Sequence, residues 1–185
     1  MSEPISALNG AGFEGPLVSI KELGPVGMVT IRGDFASAAF ASAIEDVCGG
    51  PIPGQRRFEG ALGWMSPDEL LWTGAYADAD GIVAGLTEAL AGEHHLAVNV
   101  SDARAVFRVT GSGARELIAK GAPVDMSPAA FADGDLRRTH IGQVAAAFWM
   151  TGEDNLTLVC FRSFAGYMFD WLSASAKDGA TPGLY

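Results

Sequence analysis

The chain is poor in positive charge. Lys and Arg number 12 against 22 Asp and Glu among 185 residues, a net charge of −10. Nucleic-acid phosphates need a basic face, so this balance argues against nucleic acid as a partner. Cysteine is scarce too: Cys48 and Cys160 are the only two. The pair fits two buried thiols in a reducing compartment better than a disulfide framework. No apolar run reaches the roughly 20 residues that span a bilayer. The first residues, Met1-Ser-Glu-Pro-Ile-Ser6, lack a basic region and an apolar core, so no signal peptide is expected and the cytoplasm is the expected location. Asn99-Val-Ser101 and Asn155-Leu-Thr157 match the glycosylation pattern, but without export they read as coincidences.

Total charge is low as well. Charged residues make up 18 %, where soluble domains carry about 25 %. Hydrophobic residues reach 49 % and Gly numbers 24, so disorder over most of the length is excluded. The shortage of charge implies a surface partly covered by another protein.

What the chain does have is an internal echo. Trp64-Met-Ser-Pro-Asp68-Glu69-Leu-Leu71 and Trp149-Met-Thr-Gly-Glu153-Asp154-Asn-Leu156 lie 85 residues apart, and Ala61/Ala146 and Gly81/Gly166 align at the same offset. Such self-similarity predicts two related halves. Strands are expected over 17–23, 26–32, 58–65 and 69–73, with Gly24-Pro25 and Ser66-Pro67-Asp68 as connections. A helix over 35–48 starts from Asp34 as N-cap, buries Phe40, Ala43, Ile44 and Val47, and stops at Gly49-Gly50-Pro51. A second helix covers 78–91, burying Val83, Leu86 and Leu90.

The second half repeats the order. Leu96, Val98 and Val100 alternate with His95, Ala97 and Asn99, which predicts a half-buried strand with the aliphatic side inward. Ala105, Phe107 and Val109 alternate with Arg104, Val106 and Arg108. Ser112 is expected to cap a short helix through Lys120, and Ser127-Pro128 opens a further helical turn. One long strand is expected over 137–150, then another over 155–161. The last helix spans 163–177 on an apolar stripe of Phe164, Tyr167, Met168, Trp171 and Leu172. The pattern is strand-strand-helix-strand-strand-helix, twice. It predicts an α+β class, with two pseudo-repeated ββαββα halves at about 16–93 and 94–177 sharing one domain over 16–177. Residues 1–15 and 178–185 read as loose ends.

Candidate chemistry is thin. Val109-Thr-Gly111-Ser-Gly113-Ala114 sets glycines between strand and helix, where a phosphate could bind. Glu116 stands where the dinucleotide pattern needs a small residue, and its charge repels a pyrophosphate. His94-His95 on one strand point to opposite faces and do not chelate together. His140 stands alone. Cys48 and Cys160 lack a base and an orienting group. Ser66 and Ser127 precede proline and read as caps. Asp68-Glu69 is the paired-carboxylate candidate, in a hairpin turn where charge is expected. Arg56-Arg57 and Arg137-Arg138 begin strands and fit solvated ends or carboxylate partners. Trp72 and Tyr76 read as interface anchors, with core packing the equal alternative for Trp72.

Several motifs together are specific. Asn99-Val-Ser-Asp102-Ala-Arg104-Ala-Val-Phe-Arg108-Val-Thr-Gly111 is followed by Ala114-Arg115-Glu-Leu-Ile-Ala-Lys120-Gly121-Ala-Pro123-Val-Asp125. Phe131 and Arg138-Thr139 come next, then Arg162-Ser163-Phe164-Ala165-Gly-Tyr167 with Asp170-Trp171-Leu172. With the Trp64–Leu71 hairpin these closely resemble the gamma subunit family of heterotetrameric sarcosine oxidase, from about Leu17 to Leu172. Met126-Ser127 departs from it, where a Leu-His pair is common.

The resemblance implies the fold of the folate-binding portion of glycine-cleavage aminomethyltransferases. It implies partner subunits alpha, beta and delta, chiefly alpha. The holoenzyme demethylates sarcosine oxidatively to glycine, with hydrogen peroxide and either methylenetetrahydrofolate or formaldehyde as products. It implies FAD, FMN, NAD, zinc and tetrahydrofolate on those other subunits. For this chain it implies no catalytic, cofactor-binding or metal residues. Arg108, Asp102 and Arg104 become structural, paired across a strand crossing. The chain reads as an assembly subunit; the alternative is a stand-alone folate-binding or aminomethyltransferase-like module.

Overall fold

The computed structural model describes residues 3–177 and Gly183. In chain order it has β1 (Gly12–Glu14), β2 (Ser19–Leu23), β3 (Val26–Arg32), α1 (Ala38–Cys48), β4 (Phe58–Glu59), β5 (Leu62–Ser66), β6 (Glu69–Ala75) and α2 (Ala79–Ala89). Then come β7 (Leu96–Asn99), β8 (Arg104–Thr110), α3 (Ala114–Ala119), β9 (Leu136–Ile141), β10 (Val144–Met150), β11 (Asn155–Phe161) and α4 (Ala165–Ser175). The class is α+β: two antiparallel sheets and four α-helices among the described residues. No helix among them is long and apolar enough to cross a membrane.

The chain divides into two units. One is Pro25–Ser101; the other joins the residues up to Gly24 with those from Asp102 onward. The first holds a five-stranded sheet in the order β4-β5-β6-β3-β7. Val29, Ile31, Leu62, Leu70 and Trp72 pack there with Phe40, Ala43 and Ile44 of α1 and Leu86 of α2. The second holds six strands in the order β1-β2-β8-β11-β10-β9. Ile20, Phe107, Val109, Phe148 and Leu158 pack there with Leu117 and Ile118 of α3 and Met168 and Leu172 of α4. Each of these large apolar side chains contributes about 1.5–3 kcal/mol on burial.

The two units answer the sequence echo in detail. β5–β6 and β10–β11 are both antiparallel hairpins. Each second strand runs straight into a 3-10 turn, Tyr76–Asp78 or Arg162–Phe164, and then into α2 or α4. The strands are not grouped as the linear halves are, however. β2 pairs with β8, placing Lys21 opposite Arg108, and β7 pairs with β3, placing Val98 opposite Thr30. Each half therefore has its opening strand in the sheet of the other.

Local differences have local causes. The cap of α1 is Ser37, whose hydroxyl accepts from the Phe40 amide at 3.3 Å, while Asp34 accepts from the Ala36 amide two residues on. Gly49 ends α1 at φ 81, the left-handed geometry that favours glycine. Ser112 does not cap α3; Gly113 holds that position without a side-chain bond. The single strand expected over 137–150 is the hairpin β9–β10, turned at Gly142 with φ 57. The strand expected over 58–65 is broken at Gly60, φ 58. In β7 the inward residue is Ala97, while Leu96 and Val98 are exposed. Ala97 lies opposite core Ile31, and a sheet edge covers only one side of the strand.

The segment 1–15 carries β1 among its described residues. Buried Glu22 holds the stretch before it, accepting from Ser6 Oγ at 2.9 Å and from the Leu8 and Gly10 amides at 3.1 and 2.7 Å. Of 178–185 only Gly183 is among the described residues; its amide donates to Glu116 at 2.7 Å.

Candidate functional site

The glycine pair between β8 and α3 is explained by backbone packing. At Gly111, φ 112, a Cβ would lie 2.3 Å from the Leu17 carbonyl oxygen. At Gly113 it would lie 2.9 Å from Val18 Cγ2, and the Gly113 amide donates to the Leu17 carbonyl at 3.1 Å. The two glycines let the chain before β2 pass against the start of α3.

The cysteines are buried. Desolvation pushes the Cys48 thiol from an ordinary 9.0 to about 12. Burial pushes Cys160 up to about 11, slightly opposed by the Arg104 charge. Neither is a thiolate nucleophile near neutrality. An aromatic disulfide reagent at pH 8 is expected to label neither in the folded chain and both in denaturant; rapid native labelling would contradict their burial. Linkage gives the sign of the pH effect. Unfolded thiols ionise first as pH rises through 9.0, so the unfolded state binds fewer protons there and stability falls between 9.0 and about 12.

In the Pro25–Ser101 unit an open cleft of about 780 Å³ gathers Arg32, Asp34, Asp68, Glu93, His94 and His95. The sequence did not place these together. Arg32 neutralises the paired carboxylates: its Nη2 donates to Glu69 Oε2 at 2.7 Å and its Nη1 lies 3.5 Å from Asp68 Oδ2. The Glu69 hydrogen bond and charge, then the Asp68 charge, raise the Arg32 pKa further. His95 Nδ1 lies 3.0 Å from the Glu93 carbonyl. No group of three His, Cys, Asp or Glu able to hold a metal ion occurs among the described residues. His140 is an exposed residue of β9 and does not line the cleft.

The remaining candidates are structural or surface groups. Trp72 is core and Tyr76 is half-buried. Ser66 Oγ donates to Asp68, and the Ser127 amide donates to Asp125, whose carboxyl is held below its ordinary value by that bond. Arg57 lies 3.6 Å from Glu59, and the Arg137 guanidinium stacks 5.2 Å from the Phe131 ring centroid. Arg108 takes no part in the charge-paired crossing expected with Asp102 and Arg104. Arg104 lies 4.6 Å from the Phe161 ring centroid. Exposed Arg108 faces Lys21 and Thr157, and no carboxylate pairs with it among the described residues.

One feature read as core is surface. Of the stripe on α4, Met168 and Leu172 are fully buried, but Phe164 and Tyr167 are 46 % and 48 % exposed. Phe161, at the end of β11, is exposed to the same degree.

A family model described as "Sarcosine oxidase, gamma subunit family" matches residues 32–178. The chain belongs to that family. Among its relatives are the sarcosine oxidase gamma subunits of Arthrobacter sp. and Corynebacterium sp. strain P-1. The first is 28 % identical, with 85 % of this chain and 77 % of the relative covered. The second is 27 % identical, with 97 % and 90 % covered. Among solved structures, a chain of the heterotetrameric sarcosine oxidase from Corynebacterium sp. U-96, in complex with pyrrole 2-carboxylate, superposes with a TM-score of 0.83 at 20 % identity, covering 94 % of this chain and 91 % of that one. Aminomethyltransferase T of the glycine cleavage system from Bartonella henselae gives 0.61 at 11 % identity, covering 85 % of this chain and 46 % of that one. At these identities both are likenesses of fold. The sarcosine oxidase gamma subunit family therefore has here the fold that its motifs imply.

Proposed function

We propose that this chain is the non-catalytic gamma subunit of a heterotetrameric sarcosine oxidase, acting in assembly and stabilisation of the complex. The observation that carries the reading is the family match over 32–178. The site geometry supports it: the two thiols are protonated and buried, and Arg32 engages the paired carboxylates. In this reading alpha, beta and delta are the companions, with alpha the chief neighbour. They hold the FAD, FMN, NAD, zinc and tetrahydrofolate. Sarcosine is oxidised to glycine, oxygen is reduced to hydrogen peroxide, and the methyl carbon leaves as formaldehyde or as methylenetetrahydrofolate. The complex works in the cytoplasm.

The test is co-expression of the companion subunits with and without this chain. Without it the complex is expected to melt lower or dissociate, and sarcosine-dependent peroxide production to fall with it. Full activity and equal stability in its absence would sink the reading, as would sarcosine turnover by this chain alone. The fold likeness to an aminomethyltransferase favours the second reading, a free-standing folate module. Micromolar binding of a folate derivative by the isolated chain would favour that one.

A further inference from the structure

The internal echo supplies its own control for the exposed aromatics. β6, its 3-10 turn and α2 correspond residue for residue to β11, its 3-10 turn and α4 at an offset of 86, one residue out of step with the offset of 85 in the sequence echo. Ala75, Asp78 and Gly81 thus stand where Phe161, Phe164 and Tyr167 stand. All six are exposed. The same local structure forms with a methyl group, a carboxylate and a hydrogen at these places, so the fold does not require aromatic rings there. Nor are the rings core residues that strayed: Ala165, Met168 and Leu172 already fill the inward face of α4.

The spacing makes the three a ridge. They fall three residues apart: Phe161 ends β11, Phe164 ends the 3-10 turn and Tyr167 lies in the first turn of α4, where positions three apart share a face. Arg104 lies over the Phe161 ring, and Arg162 Nη2 donates to the Ile5 and Ser6 carbonyls at 2.9 and 3.2 Å. Ile5, 63 % exposed, is thereby held beside the ridge. Gly166, between Phe164 and Tyr167, has nothing within 4 Å of its Cβ position, so a flat surface can come close. Charge changes sign here too. The first copy carries Asp78 and Asp80 at this corner; the second carries arginines, on a chain whose net charge is −10.

We infer that the ridge Phe161–Phe164–Tyr167, with Ile5, Arg104 and Arg162 beside it, is where the companion alpha subunit docks, through a segment apolar at its centre and carboxylate-bearing at its rim. This rests on the subunit reading above. Exposed aromatics with arginine are the side chains that anchor interfaces. A second copy of this chain fits less well, because each copy brings ten net negative charges.

The test uses the full chain, tagged and co-expressed with the alpha subunit. Wild type is expected to recover alpha. Phe164→Asp combined with Tyr167→Ala is expected to weaken recovery at least about tenfold, with an unchanged melting temperature. Leu96→Ser with Val98→Ser, at the other exposed apolar pair, is expected to leave recovery intact. Hydrogen exchange on unmutated protein needs no variant to fold: amides over 161–167 are expected to slow when alpha is bound. Undiminished recovery by the ridge variant, or no slowing over 161–167, would overturn the ridge and leave the subunit reading standing. Failure of wild type to recover alpha would overturn both. A dimer of the isolated chain that the ridge variant disperses would overturn the choice of occupant, and recovery insensitive to salt would overturn the charged rim.

Discussion

Arg115→Met is expected to lower the unfolding free energy by about 2–5 kcal/mol. Arg115 sits on α3, only 6 % exposed, and its Nη1 donates to the Met126 carbonyl at 2.8 Å and the Phe131 carbonyl at 2.7 Å. Both acceptors lie in the long connection between α3 and β9, which has no regular ladder of its own. Methionine keeps most of the volume and removes the donors. Each orphaned buried carbonyl then costs about 1–3 kcal/mol. Phe131 is fully buried and meets Phe148 edge-on at 5.6 Å, so a loosened connection disturbs the core directly. Set against the roughly 5–15 kcal/mol of a typical domain, the loss is large. Urea unfolding reads it as a lower midpoint, and hydrogen exchange as faster amides over 122–135. An unchanged midpoint would mean that Arg115 does not tie this connection down.

Gly111→Ala is expected to cost about 3 kcal/mol or more. Two penalties coincide. The backbone sits at φ 112, where a side chain is strained, and the new Cβ would press on the Leu17 carbonyl oxygen at 2.3 Å. Backbone cannot rotate aside as a side chain can. Gly113→Ala is expected to be milder, because its closest neighbour is Val18 Cγ2, the end of a side chain, at 2.9 Å. Thermal melts of the two variants in phosphate-free buffer check the ranking. Equal stability of Gly111→Ala and wild type would return the glycine pair to a ligand-binding explanation.

The legible parts of the fold were those that depend on near neighbours. The Trp64 and Trp149 hairpins, the Gly49 stop and the alternation of Ala105, Phe107 and Val109 follow from residues a few positions apart. Strand pairing depends on distant residues instead. Nothing near Ser19–Leu23 announces that its partner is Arg104–Thr110 rather than the adjacent Val26–Arg32. The β9–β10 turn was hidden because Gly142-Gln143 is a weak signal ahead of the apolar run from Val144. Ala97 was the least apolar-looking member of its strand, yet it faces the core because its register against Ile31 decides the matter.

The site divided the same way. The linked motifs from Asn99 to Leu172 carried the family, since each holds in a short window of sequence. The Arg32 cleft was invisible because its residues come from three separated stretches. The aromatic ridge was misread for a physical reason: periodicity reports that a helix face is apolar but not what covers it.

The exchange of opening strands has a consequence during synthesis. Pro25–Ser101 is continuous, and all five strands of its sheet lie within it. No residue after Ser101 is needed to complete its sheet. β2 differs: its ladder partner begins at Arg104, some 80 residues downstream of it. At elongation rates of about 5–20 residues per second, that strand waits several seconds with its edge unpaired. The nascent chain thus emerges with a finished insert flanked by an unfinished host. The segment most exposed to mispairing, and most in need of protection by chaperones, is β2, which is made before β8, β9, β10 and β11 of its own sheet.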